Sequence, residues 1–301
     1  MKRVLVICGP TATGKTSLAV DCAKVLNSEI ISADSQLVYK GLNIGTAKPT
    51  VAEMQGVKHH MINVVGAEEN FSVSDYEEAA LPLIKKLLGD GKTPVVCGGT
   101  GFYINSLLYN LGYGNVKADL SIRARYESLS EERGKEYVYS LLQEVDPESA
   151  VKLHVNDTKR VVRALEIYEV SGKKKSEQND ELKPRFDYLA VAVDYPREAL
   201  YKRIDCRVDM MFNAGLIDEV KRLKSVGIDE NCQSMQAIGY KEVLEGLKSG
   251  LNDSTMRDII KKNTRHYAKR QLTFFKKLKG IVWLKPENAN ADYVLRLLNE
   301  K

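Results

Sequence analysis

Apolar residues occur in short runs, each ending in a polar or glycine-rich junction, and most junctions lead into a longer stretch with helical spacing. The first run, residues 4–8, reads as a buried strand, and residues 17–23 read as a helix ending near Leu26. Residues 29–33 predict a second parallel strand, 61–65 a further one, and 94–97 another buried one. Residues 74–88 have helical periodicity, with Pro82 expected in the first half of that helix. From about Asn115 the pattern changes to charged, helical sequence, and residues 188–193 then return to an apolar strand. A helical block between two sheet strands reads as an insertion, 116–185, in a core made of 1–115 and 186–301. The rest is mainly helical. Residues 197–212 place Arg203 and Arg207 on one helix face, 258–275 form a long helix, 281–284 an edge strand and 289–298 a closing helix.

The junction after the first strand changes the picture. Gly9-Pro10-Thr11-Ala12-Thr13-Gly14-Lys15-Thr16 is a P-loop in strand–loop–helix context. Its glycines let several backbone N–H groups converge on one anion, and the helix start adds its positive dipole end. Lys15 can reach terminal phosphate oxygens and the Thr16 hydroxyl can bind Mg²⁺. The fold class expected is therefore α/β, a P-loop NTPase-like parallel sheet with flanking helices plus a helical insertion. In such a sheet the carboxyl ends of the strands face the ligand crevice, which puts Asp34 on the same edge as the P-loop. Asp34, with Ser35, could also cap a following helix. Gly98-Gly99-Thr100-Gly101 is a second glycine-rich junction, and no acid ends its strand, so activation of water for nucleotide hydrolysis is not expected. Close backbone approach to a ligand, with the Thr100 hydroxyl beside it, is the expected use.

Composition narrows the classes further. At 301 residues, 44% hydrophobic and 28% charged, the chain is an ordinary globular protein with a large core. A net charge of +5 is mild, so a polyanion site must come from local clustering. Arg257, Lys261, Arg265 and Lys269 recur every fourth residue, with Lys262, Arg270, Lys276 and Lys277 beside them and Asp258 the one acid close by in sequence. That stripe predicts a polyanion partner. Lys159, Arg160 and Arg163 cluster on the insertion, where a solvated helix face is an equal reading. Cys8, Cys22, Cys97, Cys206 and Cys232 form no CxxC pair, so reduced thiols in a cytoplasmic protein are expected rather than disulfides or zinc. His59-His60 lacks partners at metal-ligand spacing and reads as structural or surface. Neither a signal peptide nor a membrane-crossing run is expected.

Several stretches together resemble the bacterial tRNA dimethylallyltransferase (tRNA isopentenyltransferase) family. They are the P-loop, residues 31–35 with Tyr39-Lys40-Gly41, the loop 43–49, Gly98 to Gly101, Gly239-Tyr240, and Lys269-Arg270-Gln271, in the right order across the chain. Phe102 stands where leucine is more usual. The resemblance implies transfer of a dimethylallyl group from dimethylallyl diphosphate to N6 of the adenosine immediately 3′ of the anticodon, position 37. It implies Mg²⁺, no membrane partner and a monomer. Lys15, Thr16 and Arg207 would stabilise the departing diphosphate, and Asp34 would take the amine's proton. Ser35, Gln36 and Leu37 would line the adenine pocket, with Thr100 and Arg123 as further tRNA contacts. Lys159, Arg160, Val161, Val162 and Arg163, then Gln236, Ala237, Ile238, Gly239, Tyr240 and Lys241, then Lys269, Arg270, Gln271 and Lys276, would hold the anticodon stem-loop. A small-molecule kinase with Asp34 as base, an isopentenyltransferase acting on a free nucleotide, and a P-loop protein that only binds RNA stay open as alternatives. The long basic helix argues against a small acceptor.

Overall fold

Val4–Cys8 (β1) is buried at every position, because a strand lies against it on each side. The computed structural model describes residues 3–111, 119–177 and 183–300. The expected junction at 115/116 and the centre of the polar stretch 176–185 lie outside them. Six parallel strands form one sheet in the order β3-β2-β4-β1-β5-β6. The others are Ile30–Ser32 (β2), His59–His60 (β3), Val95–Cys97 (β4), Tyr188–Val193 (β5) and Ile281–Leu284 (β6). Leu5 registers with Val95 on one side and Leu189 on the other, which gives the central strands their continuous apolar runs. Because every pair is parallel, the segments after β1, β2 and β4 leave the sheet at one edge.

Three local expectations are corrected. The third strand covers His59–His60 rather than 61–65. Met61 and Asn63 have φ of 61° and 56°, which ends the strand, and Val65 keeps only an isolated bridge to Tyr39. Pro82 lies mid-way along the Val73–Gly89 helix, not in its first half. The long helix begins at Asp253, earlier than expected, because the Asn252 side chain caps it by accepting from the Thr255 N–H at 2.9 Å.

Chain contacts divide the molecule into two units, Met1–Leu108 with Pro184–Lys301, and Tyr109–Lys183. In the first, the Lys15–Val25 and Ala291–Glu300 helices pack through Leu18, Cys22, Val294 and Leu298 onto one side of the sheet. The Val73–Gly89 and Gly101–Leu108 helices meet through Tyr76 stacked on Tyr103 at 3.8 Å, and the Tyr76 hydroxyl donates to Ser32 O, tying this helix pair to β2. The second unit is helical, with Leu120–Arg133, Lys135–Val145, Pro147–Val151 and Thr158–Ser171 around Val138, Leu142, Val161 and Leu165.

Candidate active site at the sheet edge

The P-loop follows β1 with Gly9 and Gly14 at φ of 119° and 82°, left-handed conformations that glycine adopts freely. Ala12 also has positive φ, 64°, a strained backbone of the kind found at ligand sites. Thr13 Oγ1 donates to Pro10 O and closes the loop. Lys15 Nζ donates to the same carbonyl, and burial lowers its pKa to about 8; the nearby Arg207 guanidinium pulls the same way, against Cys97 and Asp34. Two arginines of the Arg197–Asn213 helix lie on the loop. Arg203 Nε donates to Ala12 O at 2.7 Å and Arg207 Nη1 to Thr11 Oγ1 at 3.3 Å. Burial, then Arg203, lower the Arg207 pKa. Ala12, Lys202, Arg203, Cys206, Arg207 and Met210 line a cleft of about 350 Å³ beside the loop. The burial that lowers the pKa of Lys15 pushes the thiols of Cys8 and Cys97 up to about 12, so both are protonated packing groups.

Asp34 leaves β2 at the same edge. No helix follows it. Its Oδ1 accepts from the Gln36 N–H at 2.9 Å and closes a turn, so the helix-cap reading is corrected. The Ser35 N–H donates to Thr100 Oγ1 at 2.9 Å, that hydroxyl donates to Ser35 Oγ, and the Thr100 N–H donates to Ala33 O. Gly98 has to be glycine, because a Cβ there would lie 2.1 Å from Ala33 O. The ends of β2 and β4 therefore lock together and fix Asp34, Ser35 and Thr100 as one group. Lys48 extends the support. Its Nζ donates to Tyr39 O and Asn63 Oδ1, both at 2.6 Å, and burial lowers its pKa to about 8. Tyr267, on the Asp253–Phe275 helix, lies beside Thr100 and Gln271. Burial raises its pKa, with the charge of Asp34 next in weight.

Several other residues expected to meet RNA are engaged within the chain. Gln271 is only 6% exposed, and both ends of its amide are engaged: Oε1 accepts from the Thr11 N–H and Nε2 donates to Gly99 O, both at 2.9 Å. It braces the P-loop against the glycine junction. Tyr240, Gly239 and Ala237 are buried. The Tyr240 hydroxyl donates to Glu219, a buried carboxylate that also accepts from the N–H groups of Asn43, Ile44 and Gly45, so this turn anchors the 43–49 loop. Gln236 and Lys241 are exposed and Ile238 partly so. Val161 and Val162 sit in the core of the helical unit. Arg160 pairs with Asp157, and Arg123 and Arg163 both pair with Glu166, while Lys159 is exposed.

The basic stripe is paired in part within the protein. Arg257 and Lys261 pair with Asp209 at 3.2 and 2.8 Å, and Arg265 pairs with Asp205 at 2.6 Å. Three of its four members thus form an ion-pair seam with the Arg197–Asn213 helix. Lys269, Arg270 and Lys276 remain exposed. Asp205 and Asp209 are spaced i, i+4, and that spacing was the available signal for the seam.

Thr16 is exposed at the first turn of the P-loop helix, next to Lys15. Among the described residues no group of three His, Cys, Asp or Glu side chains could hold a metal. The donor set fits Mg²⁺, which keeps much of its water and binds through few protein oxygens plus phosphate.

A parallel sheet with a P-loop, a carboxylate and a glycine junction at one edge defines a phosphate-binding α/β protein. Residues 37–278 match the family described as IPP transferase. The tRNA dimethylallyltransferase of Acetivibrio thermocellus is 44% identical over 295 residues, covering 97% of this chain and 94% of that protein. The crystal structure of the full-length tRNA isopentenylpyrophosphate transferase from Bacillus halodurans superimposes with a TM-score of 0.74 at 38% identity, covering 100% of this chain and 95% of that one. A eukaryotic dimethylallyltransferase, whose structures were determined acting on tRNA, gives a TM-score of 0.81 at 33% identity over 95% of this chain and 74% of that one. The chain belongs to the tRNA dimethylallyltransferase (IPP transferase) family.

Proposed function

We propose that the P-loop and Asp34 divide between them the reaction of this tRNA dimethylallyltransferase, prenylation of adenosine 37 in tRNA. The observation that carries the reading is the placement of Lys15 and Asp34 at one sheet edge, near enough for the Asp34 charge to act on the Lys15 pKa. The N6 amine attacks C1 of dimethylallyl diphosphate, the C–O bond breaks, and diphosphate leaves with the electron pair. The leaving group gains charge, and Lys15, the loop N–H groups and Arg207 stabilise it. The adenine amine is a weak nucleophile because its lone pair is delocalised. Asp34 accepts its hydrogen bond and then its proton. Thr100 holds Ser35, and so the turn that carries Asp34. The Thr16 hydroxyl would bind Mg²⁺ together with diphosphate oxygens and water, and the ion would supply neutralising charge on the leaving group. The target base must leave its stack to be reached.

Transfer of label from dimethylallyl diphosphate to unmodified tRNA, with AMP as competing acceptor and ATP as competing donor, tests the assignment. Label on AMP alone, or phosphate transfer from ATP, overturns it. Thr16→Ala should shift the Mg²⁺ dependence of the rate to higher concentration, and an unchanged Mg²⁺ titration would remove the hydroxyl from the metal site.

The exposed end of the long helix supports a second part of the reading, that Lys269, Arg270 and Lys276 meet tRNA phosphates. Replacing Lys269 and Arg270 by alanine should weaken tRNA binding and flatten its log–log salt dependence by about 0.7–0.9 per lost contact. Dimethylallyl diphosphate binding should be unchanged. Lys261→Ala, which opens the seam instead, should cost at most about 1 kcal/mol of stability and leave the slope alone. A wild-type slope in the Lys269/Arg270 variant would place the RNA elsewhere.

A further inference from the structure

We infer that the Phe102 ring is a stacking platform for the unpaired tRNA base next to adenosine 37, an inference that rests on the chain prenylating that adenosine in tRNA. Phe102 is the second residue of the Gly101–Leu108 helix. That helix buries Tyr103, Ile104, Leu107 and Leu108, one stripe at helical spacing, and turns Phe102 outward, 63% exposed. A single exposed apolar side chain is ordinary on a protein surface. This one is set apart by how it is held and by what surrounds it. Phe274, on the long helix, meets its ring edge-on, with centroids 5.5 Å apart and planes at 61°. Phe274 is itself fixed. A Cβ on Gly101 would lie 2.2 Å from its ring, so glycine there lets it pack onto the start of the Gly101–Leu108 helix, and the buried Phe275 meets it edge-on at 5.6 Å. A ring already held in one orientation binds a base with little further cost of ordering.

The ring also stands beside the group proposed to react. Thr100, two residues before it, accepts from the Ser35 N–H at 2.9 Å and so fixes the turn that carries Asp34. Tyr267 lies next to Thr100, near enough to Asp34 for that charge to add to the effect of burial on the phenol. Tyr267, Arg270 and Phe274 are spaced i, i+3 and i+7 on one face of the long helix. The Arg270 guanidinium is 5.7 Å from the centre of the Tyr267 ring and is exposed, as are Lys269, Lys276 and Lys277. Along that face the groups are a phenol beside Asp34, a guanidinium, and then the Phe274–Phe102 ring pair. Aromatic rings among exposed cations suit single-stranded nucleic acid, whose bases stack on the rings while its phosphates meet the charges. Extruding adenosine 37 strips its neighbour of a stacking partner, and Phe102 offers a replacement surface for that base.

The experiment measures tRNA affinity across a salt series for the wild-type protein, Phe102→Ala, Phe102→Leu and Phe102→Trp. Each is tested with intact unmodified tRNA and with tRNA made abasic on either side of adenosine 37, at position 36 or 38. On intact tRNA, Phe102→Ala should weaken binding about five- to fiftyfold, Phe102→Leu by nearly as much, and Phe102→Trp by less than twofold. The salt slope should be the same in all four proteins, because no phosphate contact is lost. Dimethylallyl diphosphate affinity should also be unchanged. On one of the two abasic tRNAs, Phe102→Ala should cost less than twofold, because the base that stacks on the ring is already gone. That last readout separates stacking from mere support of Phe274, since a structural defect would cost as much on every tRNA. Wild-type tRNA affinity in Phe102→Ala, the full loss on both abasic tRNAs, or wild-type affinity in Phe102→Leu would each overturn the inference. Failure of the wild-type protein to prenylate intact tRNA is the separate outcome that would refute the proposed function itself.

Discussion

Asp34→Ala should lower the rate of prenyl transfer by about 10²–10⁴-fold, the usual range for loss of a general base, while diphosphate and tRNA still bind. The side chain stands at the end of β2, and among the described residues its one hydrogen bond is from the Gln36 N–H. The turn's other ties do not use the carboxylate: Ser35 is held by Thr100, and Tyr39 by Lys48. Its removal therefore costs one local hydrogen bond and leaves the surrounding frame in place. Single-turnover rates with saturating tRNA and dimethylallyl diphosphate, with a melting curve beside them, give the answer. Turnover near wild type would take Asp34 out of the proton transfer. Asp34→Asn should be as slow as alanine, because the amide keeps the shape and has no basic oxygen to accept the proton.

Lys15→Ala should reduce kcat/KM for dimethylallyl diphosphate by about 10²–10³-fold, the scale for losing one group aimed at developing charge. It should also change how the enzyme responds to pH. The folded-state pKa of Lys15 is near 8, well below the ordinary 10.5. Below pH 8 the ammonium is present and binds diphosphate. Above it, the free enzyme loses that charge, so kcat/KM of the wild type should fall as pH rises past 8, and the variant should lack that inflection. Stability runs the other way. Between about pH 8 and 10.5 the unfolded chain holds a proton that the folded chain has released, so this group makes the fold more stable as pH rises through that window. At pH 7 the folded state carries a partly buried, desolvated ammonium, and Lys15→Ala should melt at or above the wild-type temperature. A variant with an unchanged pH profile would show that Lys15 is not the titrating group.

The parts of this architecture that can be read from local sequence are those that depend on neighbours in the chain. The P-loop is one, because its glycines, lysine and flanking strand and helix are contiguous. The parallel sheet is another, because β1, β4 and β5 are covered on both faces and so are apolar throughout. Asp34 could be placed at the phosphate edge from its position at a strand end alone. What could not be read depends on contacts across long separations. The basic stripe looks unmatched in sequence because Asp205 and Asp209 lie some fifty positions upstream, yet they pair with three of its four members. Tyr240 and Gln271 lie in motifs of a family that binds RNA, and both turn inward, one onto Glu219 and the other onto the P-loop backbone. The tight fit of Gly98 on Ala33, where β4 lies beside β2, is likewise a fact of packing and not of pattern.

The strand order carries a consequence for synthesis. β1 gains its first neighbour when residues 95–97 emerge, but its second, β5, lies at residues 188–193, beyond the whole helical unit. At translation rates of about 5–20 residues per second, that interval is roughly 5–20 s. Through it the growing chain holds an apolar strand edge with no partner, the kind of surface that pairs with other chains. Meanwhile the Tyr109–Lys183 unit, with an apolar cluster of its own, can condense before the sheet closes. Ribosome pausing or chaperone depletion within that window should therefore lower the yield of this protein more than the same disturbance after residue 193.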